Sequence, residues 1–158
     1  MYVEYRQVED AELKIVEDRK LNILLVEDDK VDIMNVQRAF KKNNILNPLF
    51  IASNGLEALE LLRGRDGRAS IIPSYRRLIL LDLNMPKMGG IEFLQQLRTD
   101  PILQSIPVVI LTTSDQDCDR TDAYKLNVAG YILKPVTFAN FVEMMYVLNR
   151  YWTFSEML

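Results

Sequence analysis

Leu78-Ile79-Leu80-Leu81-Asp82-Leu83-Asn84-Met85-Pro86 decides how this chain is read. Four consecutive apolar residues end at a carboxylate, after which Asn84 and Pro86 turn the backbone. A strand with one wet face alternates apolar and polar residues, whereas a strand of a parallel sheet covered on both faces is apolar throughout. Leu78 to Leu81 is of the second kind. Working outward, four more short apolar runs appear: Leu21 to Val26, Leu49 to Ala52, Val108 to Leu111 and Ala129 to Leu133.

Between these runs, apolar residues recur at helical spacing. The sets are Ile33, Val36 and Phe40; Leu56, Leu59 and Leu62; Ile91, Leu94 and Leu97; Ala123 and Leu126; and Phe138, Phe141, Met145, Leu148 and Trp152. Asn54 three residues before Glu57, and Thr137 after Pro135-Val136, supply helix caps. Strand followed by helix, five times over, predicts an α/β fold with a doubly wound parallel sheet and right-handed crossovers. Residues 1–20, half of them charged, read as an N-terminal extension. The connection 64–77, with Arg65, Arg68, Arg76 and Arg77, is longer than an ordinary β/α link and reads as a solvated loop.

Composition narrows the function. The chain has 158 residues, 49% apolar, enough for one domain with a sizeable core and no need of disulfides or metal. A net charge of -3 argues against a non-specific nucleic-acid binder. Cys118, the single cysteine, has no intramolecular partner, and no N-terminal stretch resembles a signal peptide or membrane span, so the cytoplasm is the expected location. Histidine is absent, which removes serine and cysteine triads, two-histidine zinc sites and phosphohistidine. Chemistry must run on carboxylates, hydroxyls and lysines.

Those groups sit at the strand ends, where open α/β sheets bind ligands. The first strand ends in Glu27-Asp28-Asp29, the third in Asp82, the fourth in Thr112-Thr113 and the fifth in Lys134-Pro135, while the second ends in Ser53-Asn54 without a charge. The asymmetry suits the order 2-1-3-4-5, with strand two at an edge. Each residue alone has a plainer reading: Asp28 or Asp29 as a helix cap, Asp82 as a turn former, Thr112 as a strand residue, Lys134 as a solvated cation. Together they are better explained as a site. Crowded carboxylates need a cation, and an all-oxygen donor set suits a hard divalent ion such as Mg²⁺.

Four ordered motifs carry a family resemblance: Leu25-Val26-Glu27-Asp28-Asp29, Leu81-Asp82-Leu83-Asn84-Met85-Pro86, Leu111-Thr112-Thr113-Ser114 and Gly130-Tyr131-Ile132-Leu133-Lys134-Pro135. In this order the chain resembles the receiver domains of two-component response regulators, over about residues 21–150. The long connection before Leu78, the Thr-Thr-Ser run and the aromatic Tyr151-Trp152 segment are most similar to the small phytochrome-associated regulators of bacteria. The resemblance implies a CheY-like, flavodoxin-like (βα)5 fold and divides the chain into the extension 1–20, a receiver over 21–152 and a tail over 153–158.

Position by position, the resemblance makes Asp82 the phosphoacceptor, Asp28 a direct Mg²⁺ ligand, Glu27 a ligand through water, and the Asn84 carbonyl a further ligand. Lys134 would pair with a phosphoryl oxygen, Thr112 would hydrogen-bond another, and Tyr131 would be the aromatic switch. Asp29 matches no ligand position and reads as a helix cap or a surface acid. Glu27 stands where many receivers carry Asp. Thr113 stands where Ala, Gly or Ser is common, and its bulk is expected to affect dephosphorylation.

The implied function is Mg²⁺-dependent acceptance of a phosphoryl group from a histidine kinase, with a phytochrome-type sensor in the subgroup, followed by an altered protein-binding surface. On this reading the protein is a stand-alone receiver and no enzyme, catalysing only its own phosphorylation and dephosphorylation. The alternative is a pseudo-receiver that acts by docking alone. A homodimer is expected through the C-terminal helix and tail, because 14 of the 21 residues from Phe138 to Leu158 are apolar. Phe138, Phe141, Met145, Leu148 and Trp152 already fill one stripe, leaving Met144, Tyr146, Val147, Tyr151 and Phe154 over.

Overall fold

Five strands and five helices alternate along the chain in the computed structural model, which describes residues 20–157. The strands are β1 (Asn22–Val26), β2 (Leu49–Ala52), β3 (Arg77–Leu81), β4 (Val108–Thr112) and β5 (Gly130–Leu133). The helices are α1 (Lys30–Lys42), α2 (Gly55–Arg63), α3 (Gly90–Thr99), α4 (Asp117–Lys125) and α5 (Phe138–Phe154). All neighbouring strands are parallel, in the order β2-β1-β3-β4-β5. The expected N-terminal extension, residues 1–20, lies outside the described residues except for Lys20.

Continuous apolar runs become strands here because alternate residues serve opposite cores. Ile23 and Leu25 of β1, with Leu78 and Leu80 of β3, join Val36, Phe40, Phe141, Met145 and Trp152 on the α1/α5 face. Leu24, Val26, Ile79 and Leu81 join Leu59, Phe93, Leu94 and Ala123 on the α2–α4 face. β1, β3 and β4 are buried along their whole length. Their apolar side chains join one core or the other, so the strand interiors do not alternate with polar residues.

Register sets where the polar residues emerge. Val26 pairs with Ala52 and with Leu81, Leu81 pairs with Ile110, and Thr112 pairs with Leu133. The residues that follow these partners therefore emerge on one rim. Asp29 caps α1, accepting from the Val31 and Asp32 N–H groups. Asn54 caps α2 through the Glu57 N–H, and Thr137 caps α5 through the Asn140 N–H. Gly90 lets α3 approach the end of β3: a Cβ there would lie 2.6 Å from the Asp82 carbonyl oxygen and 2.7 Å from the Leu83 Cα.

Two expectations need correction. The α5 stripe contains Phe141, Met145, Trp152 and part of Leu148, but Phe138 is 36% exposed and Met144 packs against the core. Phe138 opens α5 beside the C-terminal end of α1, with the Lys42 Nζ 5.6 Å from its ring centre. The 64–77 connection is continuously solvated from Arg65 to Ala69, and Ile71, Ser74 and Tyr75 are exposed as well, but part of it packs down. Ile72 is buried, Ser70 bonds the Leu61 carbonyl, and Arg77 donates to the Ile72 and Pro73 carbonyls. Among the described residues, no helix is long and apolar enough to cross a membrane.

Candidate functional site

The rim gathers most of the expected residues. Glu27 follows β1 and is 2% exposed; its N–H continues the ladder to the Ala52 carbonyl. Asp82 follows β3, is 7% exposed, and donates its N–H to the Val26 carbonyl at 3.0 Å. One carboxylate oxygen from each of Glu27, Asp28 and Asp82 lies within 4.8 Å of the others. Asp28 is the exposed member of the trio. Asn84 lies two residues past Asp82 and is exposed in the β3–α3 loop.

Lys134 enters from β5, its N–H donating to the Thr112 carbonyl at 2.8 Å. Its ammonium donates to Glu27 Oε2 at 2.6 Å and to Asp32 Oδ2 at 2.7 Å, and stands 3.9 Å from Asp82 Oδ2. The sequence reading missed Asp32. Its one available signal was an acid in the first turn of α1, and such an acid is ordinarily read as a complement to the helix dipole.

Charge explains the chemistry open to this rim. Glu27, Asp32 and Asp82 face the Lys134 ammonium and Asp28 adds a carboxylate beside Glu27 and Asp82, an imbalance that favours a cation. Burial raises the Glu27 carboxyl to about 7, although hydrogen bonds from Lys134 and from the Asp29 N–H work to lower it. Burial pulls Lys134 down, but its hydrogen bonds to Asp32 and Glu27 and the charge of Asp82 outweigh that and raise it, so the side chain remains an ammonium. An all-oxygen trio with no thiolate or imidazole fits Mg²⁺ or Mn²⁺ rather than zinc.

Thr112 and Tyr131 sit beside this cluster in different ways. Thr112 is fully buried, and its hydroxyl oxygen accepts the Ser114 N–H at 3.3 Å. The Tyr131 hydroxyl donates to the Ser114 carbonyl, and the Arg120 guanidinium lies 5.6 Å from the Tyr131 ring centre. Ser114 also donates its hydroxyl to Asp119 at 2.5 Å. Thr113, expected to crowd the site, is exposed. Asp29 is the α1 cap, as the lack of a ligand role for it implied.

Known proteins are similar to this chain over most of its length. The family profile described as Response regulator receiver domain matches residues 23–146. The probable methanogenesis regulatory protein FilR2 of Methanothrix harundinacea is 37% identical over 130 residues, 82% of this chain and 82% of FilR2. Response regulator Rcp1 of Synechocystis sp. is 38% identical over 130 residues, 82% of this chain and 87% of Rcp1. The Mn(2+)-bound crystal structure of Rcp1 is similar at a TM-score of 0.76, covering 87% of this chain and 98% of that one. The phosphorylated cyanobacterial phytochrome response regulator RcpA is 34% identical with a TM-score of 0.77, again over 87% and 98% of the two chains.

Proposed function

The chain belongs to the response regulator receiver domain family, and from that premise we propose that it accepts a phosphoryl group on Asp82 and changes its protein-binding surface in response. The observation that carries this reading is the meeting of Glu27, Asp28 and Asp82 within 4.8 Å, with the Lys134 ammonium 3.9 Å from Asp82. With no histidine in the chain, the donor is a phosphohistidine on another protein, a histidine kinase. An Asp82 oxygen attacks phosphorus, the bond to the donor nitrogen breaks, and its electron pair leaves with the imidazole.

Asp28 and Asp82, with Glu27 through water and the Asn84 carbonyl, would hold Mg²⁺. The ion supplies positive charge to the transferring oxygens. Lys134 neutralises a further oxygen and orients the group. The Thr112 hydroxyl, drawn toward the new anion, would give up its bond with the Ser114 N–H. That loosens the loop to which Tyr131 is tied and lets the ring turn inward. The protein is no enzyme toward other molecules on this reading.

The likeness to RcpA, a cyanobacterial phytochrome response regulator, supports a phytochrome-type sensor upstream, and the family supports a cytoplasmic location. The homodimer reading rests on Val147, Tyr151 and Phe154, which share the outer face of α5 and are exposed. The test of the central claim is intact mass after incubation with acetyl phosphate and Mg²⁺. One phosphoryl adduct on the wild type, absent from Asp82→Asn, is expected. No adduct on the wild type, under conditions that label a control receiver, would leave only the docking role.

A further inference from the structure

Lys134 is held by two carboxylates, neither of them the phosphoacceptor. Its separations of 2.6 Å from Glu27 and 2.7 Å from Asp32 are charged hydrogen bonds, whereas 3.9 Å from Asp82 is beyond hydrogen-bond range. The two holders differ. The Glu27 side chain is 3% exposed and belongs to the carboxylate trio, while that of Asp32 is 35% exposed and lies outside the trio, on α1.

We propose that Asp32 is a positioning residue that gives Lys134 a second seat, so that Glu27 can turn to a divalent cation without stranding a buried ammonium. The ammonium and the cation compete for the same Glu27 carboxylate. Breaking a charged hydrogen bond inside the protein is costly when nothing replaces it. With Asp32 in place, Lys134 retains a carboxylate partner when it releases Glu27. Without Asp32, the nearest remaining carboxylate is Asp82, which belongs to the same trio. The cation would then have to displace the ammonium outright. This inference rests on the receiver reading of the site.

Calorimetric titration with Mg²⁺ tests it on the metal-free protein, with no phosphodonor present. Asp32→Asn is expected to raise the Mg²⁺ Kd roughly tenfold. Asp29→Ser removes the same charge from the neighbouring start of α1 while a serine hydroxyl still caps the helix, and is expected to change Kd by less than about twofold. Equal losses in the two variants would reduce Asp32 to general negative charge and overturn the proposal, as would an unchanged Kd in Asp32→Asn. Asp32→Ala, checked by circular dichroism, guards against a variant that misfolds.

In a Lys134→Met background the loss from Asp32→Asn should shrink to about twofold. A loss that stays undiminished would mean that Asp32 meets the ion directly, and the proposal would fail. Acetyl phosphate labelling of the wild type at saturating Mg²⁺ tests the receiver reading separately. If the wild type takes no label, the receiver reading fails, and the Mg²⁺ titrations still decide the role of Asp32.

Discussion

The Tyr131 hydroxyl donates a 2.8 Å hydrogen bond to the Ser114 carbonyl, tying β5 to the loop that leaves Thr112. The same Ser114 donates its N–H to the Thr112 hydroxyl, so the threonine and the tyrosine share one anchor. Thr112→Ala should still accept a phosphoryl group on Asp82, up to about tenfold more slowly for the loss of one hydrogen bond to the transferring group. It should not transmit the change to Tyr131. Backbone amide shifts of Ser114 and Tyr131 on phosphorylation check this, since shifts equal to those of the phosphorylated wild type would separate the tyrosine from Thr112.

The buried Glu27 makes metal-free stability depend on pH. Its folded-state pKa is raised from 4.5 to about 7, so the stabilisation is fully present at low pH and is lost as pH rises through about 7. Between about pH 5 and about pH 8 the metal-free protein should lose on the order of 2 kcal/mol from this group, and Glu27→Gln should flatten that slope. Urea unfolding at several pH values measures it. Over the same window Mg²⁺ affinity should rise with pH in the wild type, because the carboxylate must ionise to serve the ion.

Asp28 and Asp29 are neighbours with separate tasks. Asp28→Asn should weaken Mg²⁺ binding and slow acetyl phosphate labelling together. Asp29→Ala should leave both nearly intact and cost about 1 kcal/mol of stability, because it removes the bonds to the Val31 and Asp32 N–H groups. Titration and chemical denaturation of the two variants make the comparison. An Mg²⁺ defect of equal size in both would shift the site by one residue.

Gly90 sets the distance between α3 and the end of β3. A methyl at this position meets the Asp82 carbonyl and the Leu83 Cα, which are backbone atoms that cannot swing aside. Gly90→Ala should therefore cost about 2 kcal/mol or more and slow labelling of Asp82, by displacing the strand end that carries it. Unfolding and labelling measured on the same preparation would expose the error if neither changes.

The outer face of α5 predicts self-association. Val147, Tyr151 and Phe154 recur at i, i+4 and i+7, opposite the buried Phe141, Met145 and Trp152. Light scattering should give twice the monomer mass for the wild type at high micromolar concentration, and monomer for Val147→Glu with Tyr151→Lys. A monomeric wild type, with or without phosphorylation, would remove the dimer.

The amino-acid sequence by itself determined the strand order and the rim. Leu78 to Leu81 and its companions are apolar on both faces because helices cover both, and a parallel sheet lines up their C-terminal ends. Glu27, Asp82, Thr112 and Lys134 could be placed for that reason, each being the first polar group after such a run, and Asp28 because it follows Glu27 directly. Only the tertiary structure decided what touches what. Asp32 looks in sequence like any acid of a first helical turn, and Ser114 like a loop serine. Their partners, Lys134 and Tyr131, lie 102 and 17 residues away and meet them only when β5 packs beside β4 at the edge of the sheet. The rotation of α5 was equally out of reach: both Phe138 and Met144 fit a helical stripe, and packing against the core selects the methionine over the phenylalanine.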